Sequence, residues 1–310
     1  MKGAKIYSGY YTLRDPIASG GYATIYRAIE QNHPEEVAVK IGIVSSDPGY
    51  AASLLQEARI LEGLQHRGIV RLRLIPREGR NGVASARAVE LQGNPYFFVT
   101  EYLRGGTLDH YLKGAGKITV MEAAAIGAQI AEALHYLHSK GYAHNDLKLE
   151  NVVFRTPLVR GQPFDPTLVD FGIATRITLQ TDAGTTYIMS PEQISLIRNG
   201  GSGYKEDPDH KKVDVWGLGV MLYRMLGGRL PFDSRHQKTL TTQILNERPP
   251  ALQTLAPTVP SEVDDLIVNY CLNKDHQRRI DLGELWRQLS RLGHEGVVQT
   301  TKKGWFSWGD

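Results

Sequence analysis

The hydrophobic pattern of this 310-residue chain changes its period near residue 100. Before that point short β-branched runs bounded by turn residues dominate, at 25–29, 37–43 and 96–99, and each reads as an antiparallel strand. One helical stretch lies among them at 50–64, where Leu54, Ala58, Leu61 and Leu64 recur at helical spacing. Beyond residue 106 longer helical patterns take over, at 120–140, 214–226, 263–272 and 282–292. Side chains alternate across a strand and recur every third or fourth residue along a helix, so neither pattern buries its apolar face in the other conformation. Strands followed by helices predict an α+β fold in two lobes. A small antiparallel sheet with one main helix should occupy about 1–100, a connecting segment 101–105, and a larger, mainly helical lobe 106–292. The junction of the lobes is the expected place for a cleft, and 293–310 reads as a C-terminal tail.

Composition bears on class and compartment. Hydrophobic residues make up 41% and charged residues 22%, which excludes a disordered, collagen-like or disulfide-scaffold chain. The 36 Lys+Arg and 33 Asp+Glu are interspersed and leave a net charge of +3, so no nucleic-acid partner is expected. Cys271 stands alone, so it forms no intrachain disulfide and cannot build a metal site by itself. Residues 1–19 lack the apolar run of a secretory signal, and the longest apolar stretch, 213–226, is short for a bilayer and carries Asp214 and Arg224. The expectation is a cytoplasmic protein. Only the tail, with Lys302, Lys303, Trp305, Phe306 and Trp308, offers a membrane contact.

The residues that carry chemistry begin at Gly20-Gly21, in a turn between two strands, where backbone N–H groups can approach a phosphate because no Cβ intervenes. Taken alone, such a turn reads as readily as a flexible hairpin. Lys40 ends the alternating run of Val37, Ala38 and Val39 on the strand next to that turn. An ammonium placed there needs an anionic partner, and Glu57 on the following helix can supply it. Further on, Asp146, Lys148 and Asn151 crowd an irregular loop between a helix and a β-branched strand. That cluster suits phosphoryl transfer: Asp146 to accept or orient a hydroxyl, Lys148 to offset phosphate charge, Asn151 to hold a metal ion. Asp170, at the end of another strand, adds a second hard-oxygen ligand for magnesium.

The ordered set resembles the eukaryotic-type protein kinase family over roughly residues 10–292, so that 1–292 is expected to be one protein kinase domain. Its marks appear in sequence: the glycine turn, Val37-Ala38-Val39-Lys40, Glu57, Val99-Thr100-Glu101-Tyr102, His144 with Asp146-Leu147-Lys148 and Asn151, Asp170-Phe171-Gly172, Ser190-Pro191-Glu192, Asp214-Val215-Trp216-Gly217 and Arg279. The resemblance implies a two-lobed kinase fold and transfer of the γ-phosphoryl group of ATP to a protein hydroxyl with Mg²⁺. Lys148, with Gly184-Thr185, looks like the Ser/Thr branch, and the segments around Asp170 and Ser190 look more similar to bacterial members. By the same resemblance Lys40 would contact the α- and β-phosphates and Glu57 would hold it. Asp170 and Asn151 would bind the metal, Asp146 would orient the acceptor hydroxyl, and Thr185 would sit beside Asp146 and Lys148. Gly20 and Gly21 would cover the phosphates, Ile17, Ile25, Ala38 and Val153 would sandwich the adenine, and the backbone at Glu101 and Leu103 would read its edge. Thr100 would be a small gatekeeper. Glu192 with Arg279, and Asp214, would be structural charges.

Three departures from the family pattern shape the expectations. Ala18 and Ala23 stand where the first and third glycines belong, and Asn145 replaces the arginine before the catalytic aspartate. A neutral amide cannot clamp an activation-segment phosphate, so activity should depend weakly on phosphorylation there. Thr178, Thr181 and Thr186 remain autophosphorylation candidates in a hydroxyl-rich segment. The same departures leave open a pseudokinase, a nucleotide-binding or scaffolding module that keeps the fold. A small-molecule kinase is disfavoured by the segment around Ser190-Pro191-Glu192, which resembles a peptide-docking platform. A dinucleotide oxidoreductase is excluded because the glycine turn does not open a helix. Segments 77–94, 156–166 and 199–210 look longer than usual connections, as docking loops or tolerated surface. His135 and His138 lack further metal ligands nearby in sequence and read as satisfied or exposed histidines.

Overall fold

Strict alternation in β4 (Glu36–Gly42) turns Val37, Val39 and Ile41 to one side of a sheet and Ala38 and Lys40 to the other. The computed structural model describes residues 1–31, 33, 35–77, 80–171, 186–198 and 209–294. They form two compact units, one of the described residues of 1–103 with Asp170 and Phe171, the other of the remaining described residues.

The first unit contains β1 (Lys5–Ile6), β2 (Tyr11–Ser19), β3 (Ala23–Glu30), β4, helix α1 (Pro48–Glu62), β5 (Leu72–Arg73), β6 (Ile75–Arg77), β7 (Arg80–Val83), β8 (Ala86–Arg87) and β9 (Tyr96–Glu101). The antiparallel sheet runs β1-β2-β3-β4-β9-β5, with β8 also on β9 and β6–β7 a separate hairpin. The expected strands at 25–29 and 96–99 fall within β3 and β9, and the one at 37–43 runs one residue past the end of β4. β2 escaped the pattern because Pro16 interrupts it, with a register shift on either side. One sheet face packs Tyr11, Leu13, Tyr26, Ala28, Val37, Val39, Ile41, Phe97 and Val99 into a core closed by Ile6, Ile75 and Ala88. The long connection at 77–94 therefore contributes strands and a buried residue to this core. The opposite face carries Ile25, Ala38, Lys40, Phe98 and Thr100, aligned by the pairs Ile25↔Lys40, Lys40↔Phe98 and Ala38↔Thr100. Helix α1 begins two residues before its expected start, because Asp47 caps Gly49 N–H and Pro48 occupies the first turn.

The second unit contains α2 (Leu108–Ala115), α3 (Val120–Ser139), β10 (Val152–Phe154), β11 (Pro166–Leu168), α4 (Pro191–Arg198), α5 (His210–Gly227), α6 (Gln237–Asn246), α7 (Leu252–Leu255), α8 (Ser261–Asp265) and α9 (Leu282–Leu292). A reciprocal capping box between Thr119 and Glu122 starts α3. Nearly every residue of α5 from Val213 to Leu226 is buried, the mark of a central helix. The expected single helix at 263–272 is instead split: α8 ends at Asp265 and the chain continues as a π-helix over Leu266–Cys271. That segment packs directly on α5, where a Cβ at Gly219 would lie 2.7 Å from that of Cys271. The 156–166 loop joins β10 to β11 and is anchored by Phe164, buried against Tyr111 and Phe154. Among the described residues no helix is long and apolar enough to cross a membrane.

Candidate active site

In the first unit, β4 projects Lys40 from the sheet face opposite the apolar core. Its Nζ donates to Glu57 Oε1 and Oε2 at 2.9 and 2.7 Å and to Asp170 Oδ1 at 2.9 Å. Glu57 is buried and also accepts the Phe171 N–H at 3.2 Å. Burial opposes the charge on Lys40, but the carboxylates of Glu57 and Asp170 outweigh it and hold the ammonium above the ordinary lysine range. Burial pushes Glu57 up to about 7 against the opposing pull of Lys40. Once Glu57 is ionised, two carboxylates around one ammonium leave an excess negative charge, an environment that suits a divalent cation.

The glycine turn is tighter than its sequence suggests. Gly20 N–H donates to Ala23 C=O at 3.0 Å, and Ile43 N–H to Tyr22 C=O at 2.9 Å. None of Ala18, Gly20, Gly21 and Ala23 has a positive φ, so the turn does not depend on left-handed glycine, and the alanines replace glycines at no backbone cost. Ile17 is the extra residue of the bulge opposite Ile25 and Tyr26, and it is exposed. Ile25 and Ala38 are half-buried on the Lys40 face, Thr100 is buried beside Ala38, and Leu103 is buried. Glu101 is fastened by Arg71, whose N–H donates to Glu101 Oε1 and whose C=O accepts the Glu101 N–H.

In the second unit, the loop between α3 and β10 gathers Asp146, Lys148 and Asn151. Asp146 Oδ2 accepts from Lys148 Nζ at 2.8 Å and from Asn151 Nδ2 at 3.1 Å. Asn151 Nδ2 also donates to the Asp146 carbonyl at 2.9 Å. The amide nitrogen of Asn151 is thus engaged twice on Asp146, and Asp146 Oδ2 accepts both side-chain bonds. Among the described residues no three His, Cys, Asp or Glu side chains gather as a metal cage. Asn151 Oδ1 in this unit and the Asp170 carboxylate in the first are each an oxygen of the hard type that Mg²⁺ prefers. Val153 is half-buried in β10, and its neighbour Asn151 is tied to Val169 by a backbone hydrogen bond of 3.0 Å. Thr185, Gly172, Thr178, Thr181 and residues 199–208 and 295–310 lie outside the described residues. Thr186 is described and is buried, so it is not the exposed hydroxyl that the loop composition suggested.

Asp214, fully buried on α5, holds this loop from below: it accepts the N–H groups of His144 and Asn145 and stands against His138 Nε2, each at 2.8 Å. Glu192 and Arg279 form a buried two-pronged pair at 2.5 and 2.7 Å. His138, read from the sequence as satisfied or exposed, is satisfied by Asp214. Two participants were not singled out as part of the site: Gln193 Nε2 donates to the Asn145 carbonyl at 3.1 Å, and His210 Nδ1 lies 3.0 Å from Asn145 Oδ1. Their partners are tens of residues distant in sequence, which no local spacing reveals. His135 stacks on Trp286.

A family model described as protein kinase domain matches residues 11–289. The chain is 28% identical over 296 residues to maternal embryonic leucine zipper kinase of Xenopus tropicalis, covering 94% of this chain and 39% of the relative. It is 28% identical over 285 residues to serine/threonine-protein kinase PrkC of Bacillus subtilis (strain 168), covering 89% and 39%. It is also 28% identical over 300 residues to serine/threonine-protein kinase ULK3 of Xenopus laevis, covering 94% and 58%. The relatives come from a bacterium and from animals alike, and the chain spans about two-fifths of the length of the first two. With the sheet and helical units, the Lys40–Glu57–Asp170 cluster and a family match across most of its length, the chain belongs to the protein kinase domain family.

Proposed function

We propose that this protein is a Ser/Thr protein kinase that transfers the γ-phosphoryl group of ATP to protein Ser or Thr hydroxyls. The observation that carries this reading is the charged Lys40, held by Glu57 and Asp170 at hydrogen-bond distance. A lysine fixed by two carboxylates is preorganised for phosphate oxygens and loses little freedom when they arrive. Ile17, Ile25 and Ala38 offer the first unit's apolar surface for adenine and Val153 that of the second, while backbone groups at Glu101 and Leu103 would read its edge. The backbone of the turn at Gly20 and Gly21 offers N–H groups to the phosphates. Asp170 and Asn151 are the ligands each unit would bring to Mg²⁺, which would neutralise charge on the β- and γ-phosphates.

The acceptor chemistry falls to the second unit. The substrate hydroxyl oxygen bonds to the γ-phosphorus as the bond to the ADP oxygen breaks, and Asp146 Oδ1 takes the hydroxyl proton. Lys148, at 2.8 Å from Asp146 Oδ2, keeps that carboxylate oriented and offsets charge on the transferring group. Thr185 belongs to the same group of residues in this reading. A protein substrate is the partner it requires, and autophosphorylation within 172–185 is part of it. Because Asn145 offers no cationic clamp, activity depends weakly on phosphorylation of that segment.

The test is phosphate incorporation from labelled ATP and Mg²⁺ into the protein and into a generic basic protein, with Lys40→Met and Asp146→Asn as controls. Incorporation lost in both controls supports the reading. No incorporation, with ATP still raising the melting temperature, would instead indicate a nucleotide-binding pseudokinase.

A further inference from the structure

We propose that His210 is a positioning residue for the catalytic aspartate, acting through Asn145. Asn145 immediately precedes Asp146, is buried, and has a φ of 62°, a left-handed conformation that asparagine tolerates better than most side chains. Three groups hold it there. Its N–H donates to Asp214 Oδ1 at 2.8 Å, its carbonyl accepts from Gln193 Nε2 at 3.1 Å, and its side-chain Oδ1 lies 3.0 Å from His210 Nδ1. The Nδ1–H tautomer of His210 donates across that last distance. Asp214 and His210 both stand on α5, the central helix of the second unit, so one rigid element grips Asn145 by backbone and by side chain. An arginine at this position would need an anion to hold it. The asparagine instead has a partner supplied by the fold, at the first residue of α5. The backbone that aims Asp146 is thereby set from inside the second unit, without a charge delivered by the activation segment.

This inference rests on the kinase reading, and its test separates the two. Steady-state kinetics of wild type, His210→Ala, Asn145→Ala and the double variant would be measured with ATP and a peptide substrate. Hydrogen exchange over residues 143–151 would be followed in parallel. Loss of one positioning hydrogen bond should lower kcat about fivefold to tenfold in each single variant, with KM for ATP unchanged. The double variant should be little worse than either single one, because both remove the same contact. His210→Asn, which places an amide N–H where Nδ1 stands, should restore most of the loss. Exchange at 143–151 should rise in the alanine variants and return in His210→Asn. Unchanged kcat and exchange in His210→Ala, or fully additive losses in the double variant, would overturn the proposal. If wild type transfers no phosphate, the kinase reading fails while the exchange measurement still tests the positioning role.

Discussion

The glycines of this chain do different work at different positions, and local geometry separates them. At Gly21 an added Cβ would meet nothing within 4 Å, and φ is not positive. Gly21→Ala should therefore leave unfolding free energy within about 0.5 kcal/mol of wild type in a urea titration. At Gly105 the same methyl would lie 2.2 Å from Thr156 O and 2.5 Å from Phe154 Cβ, beside the bond between Gly105 N–H and Phe154 C=O. Gly105→Ala should cost about 1–3 kcal/mol in the same measurement, the usual price of overpacking. Cys271 makes a third case. Burial pushes its thiol up to about 12 against the weaker pull of Arg279, so almost no thiolate exists at mildly alkaline pH. A thiol reagent should leave the native protein unlabelled there and modify one cysteine per chain once denaturant is added. Rapid labelling of the native form would contradict the burial of Cys271 beneath α5. The ion pair of Lys40 with Glu57 was readable from residue type and order, whereas the absence of positive φ at Ala18 and Ala23 was not, because φ is a property of the folded turn.

Helices and loops are tied to one another by a few buried charges. Arg279 reaches Glu192 with two hydrogen bonds and also donates to Asn273 O at 2.8 Å and Lys212 O at 2.9 Å. It thereby links the start of α4 and the start of α5 to the turn before α9. Removing one partner strands the other in a site closed to water, so Glu192→Gln or Arg279→Met should each destabilise by about 3–5 kcal/mol. A combined Glu192→Leu, Arg279→Leu variant should lose less than the sum of the two single variants, as a double-mutant cycle in urea would show. The helical periods at 120–140 and 282–292 matched α3 and α9 closely, since long amphipathic patterns carry their own boundary signals. The pattern at 263–272 did not mark the π-helix, whose close approach to Gly219 on another helix is a contact that no local period carries. Short α2, α4, α6 and α7 carry too few turns to mark themselves by period.

For the molecule as a whole, the kinase reading makes a prediction about regulation. If Asn145 is held by α5, phosphatase treatment should leave the kcat of the recovered enzyme within about twofold of the untreated enzyme, a difference well under the 1.4 kcal/mol of a tenfold change. A loss of tenfold or more would show that a phosphate still organises the site. Fold class and family were legible in the sequence because they depend on two things that survive in a string of letters. One is the change from alternating to helical period near residue 100, and the other is the fixed order of Lys40, Glu57, Asp146, Asn151 and Asp170. Tertiary structure alone decided how the first sheet closes its core, where β1 and the 75–94 segment bring Ile6, Ile75 and Ala88 onto β2, β3, β4 and β9. It alone decided which distant groups join Asp214 around the loop that carries Asp146, namely His138, Gln193 and His210. The physical reason is the same in both cases: local periodicity and residue chemistry are encoded within a few positions, but a hydrogen bond or a packed methyl between residues tens of positions apart exists only once the chain has folded.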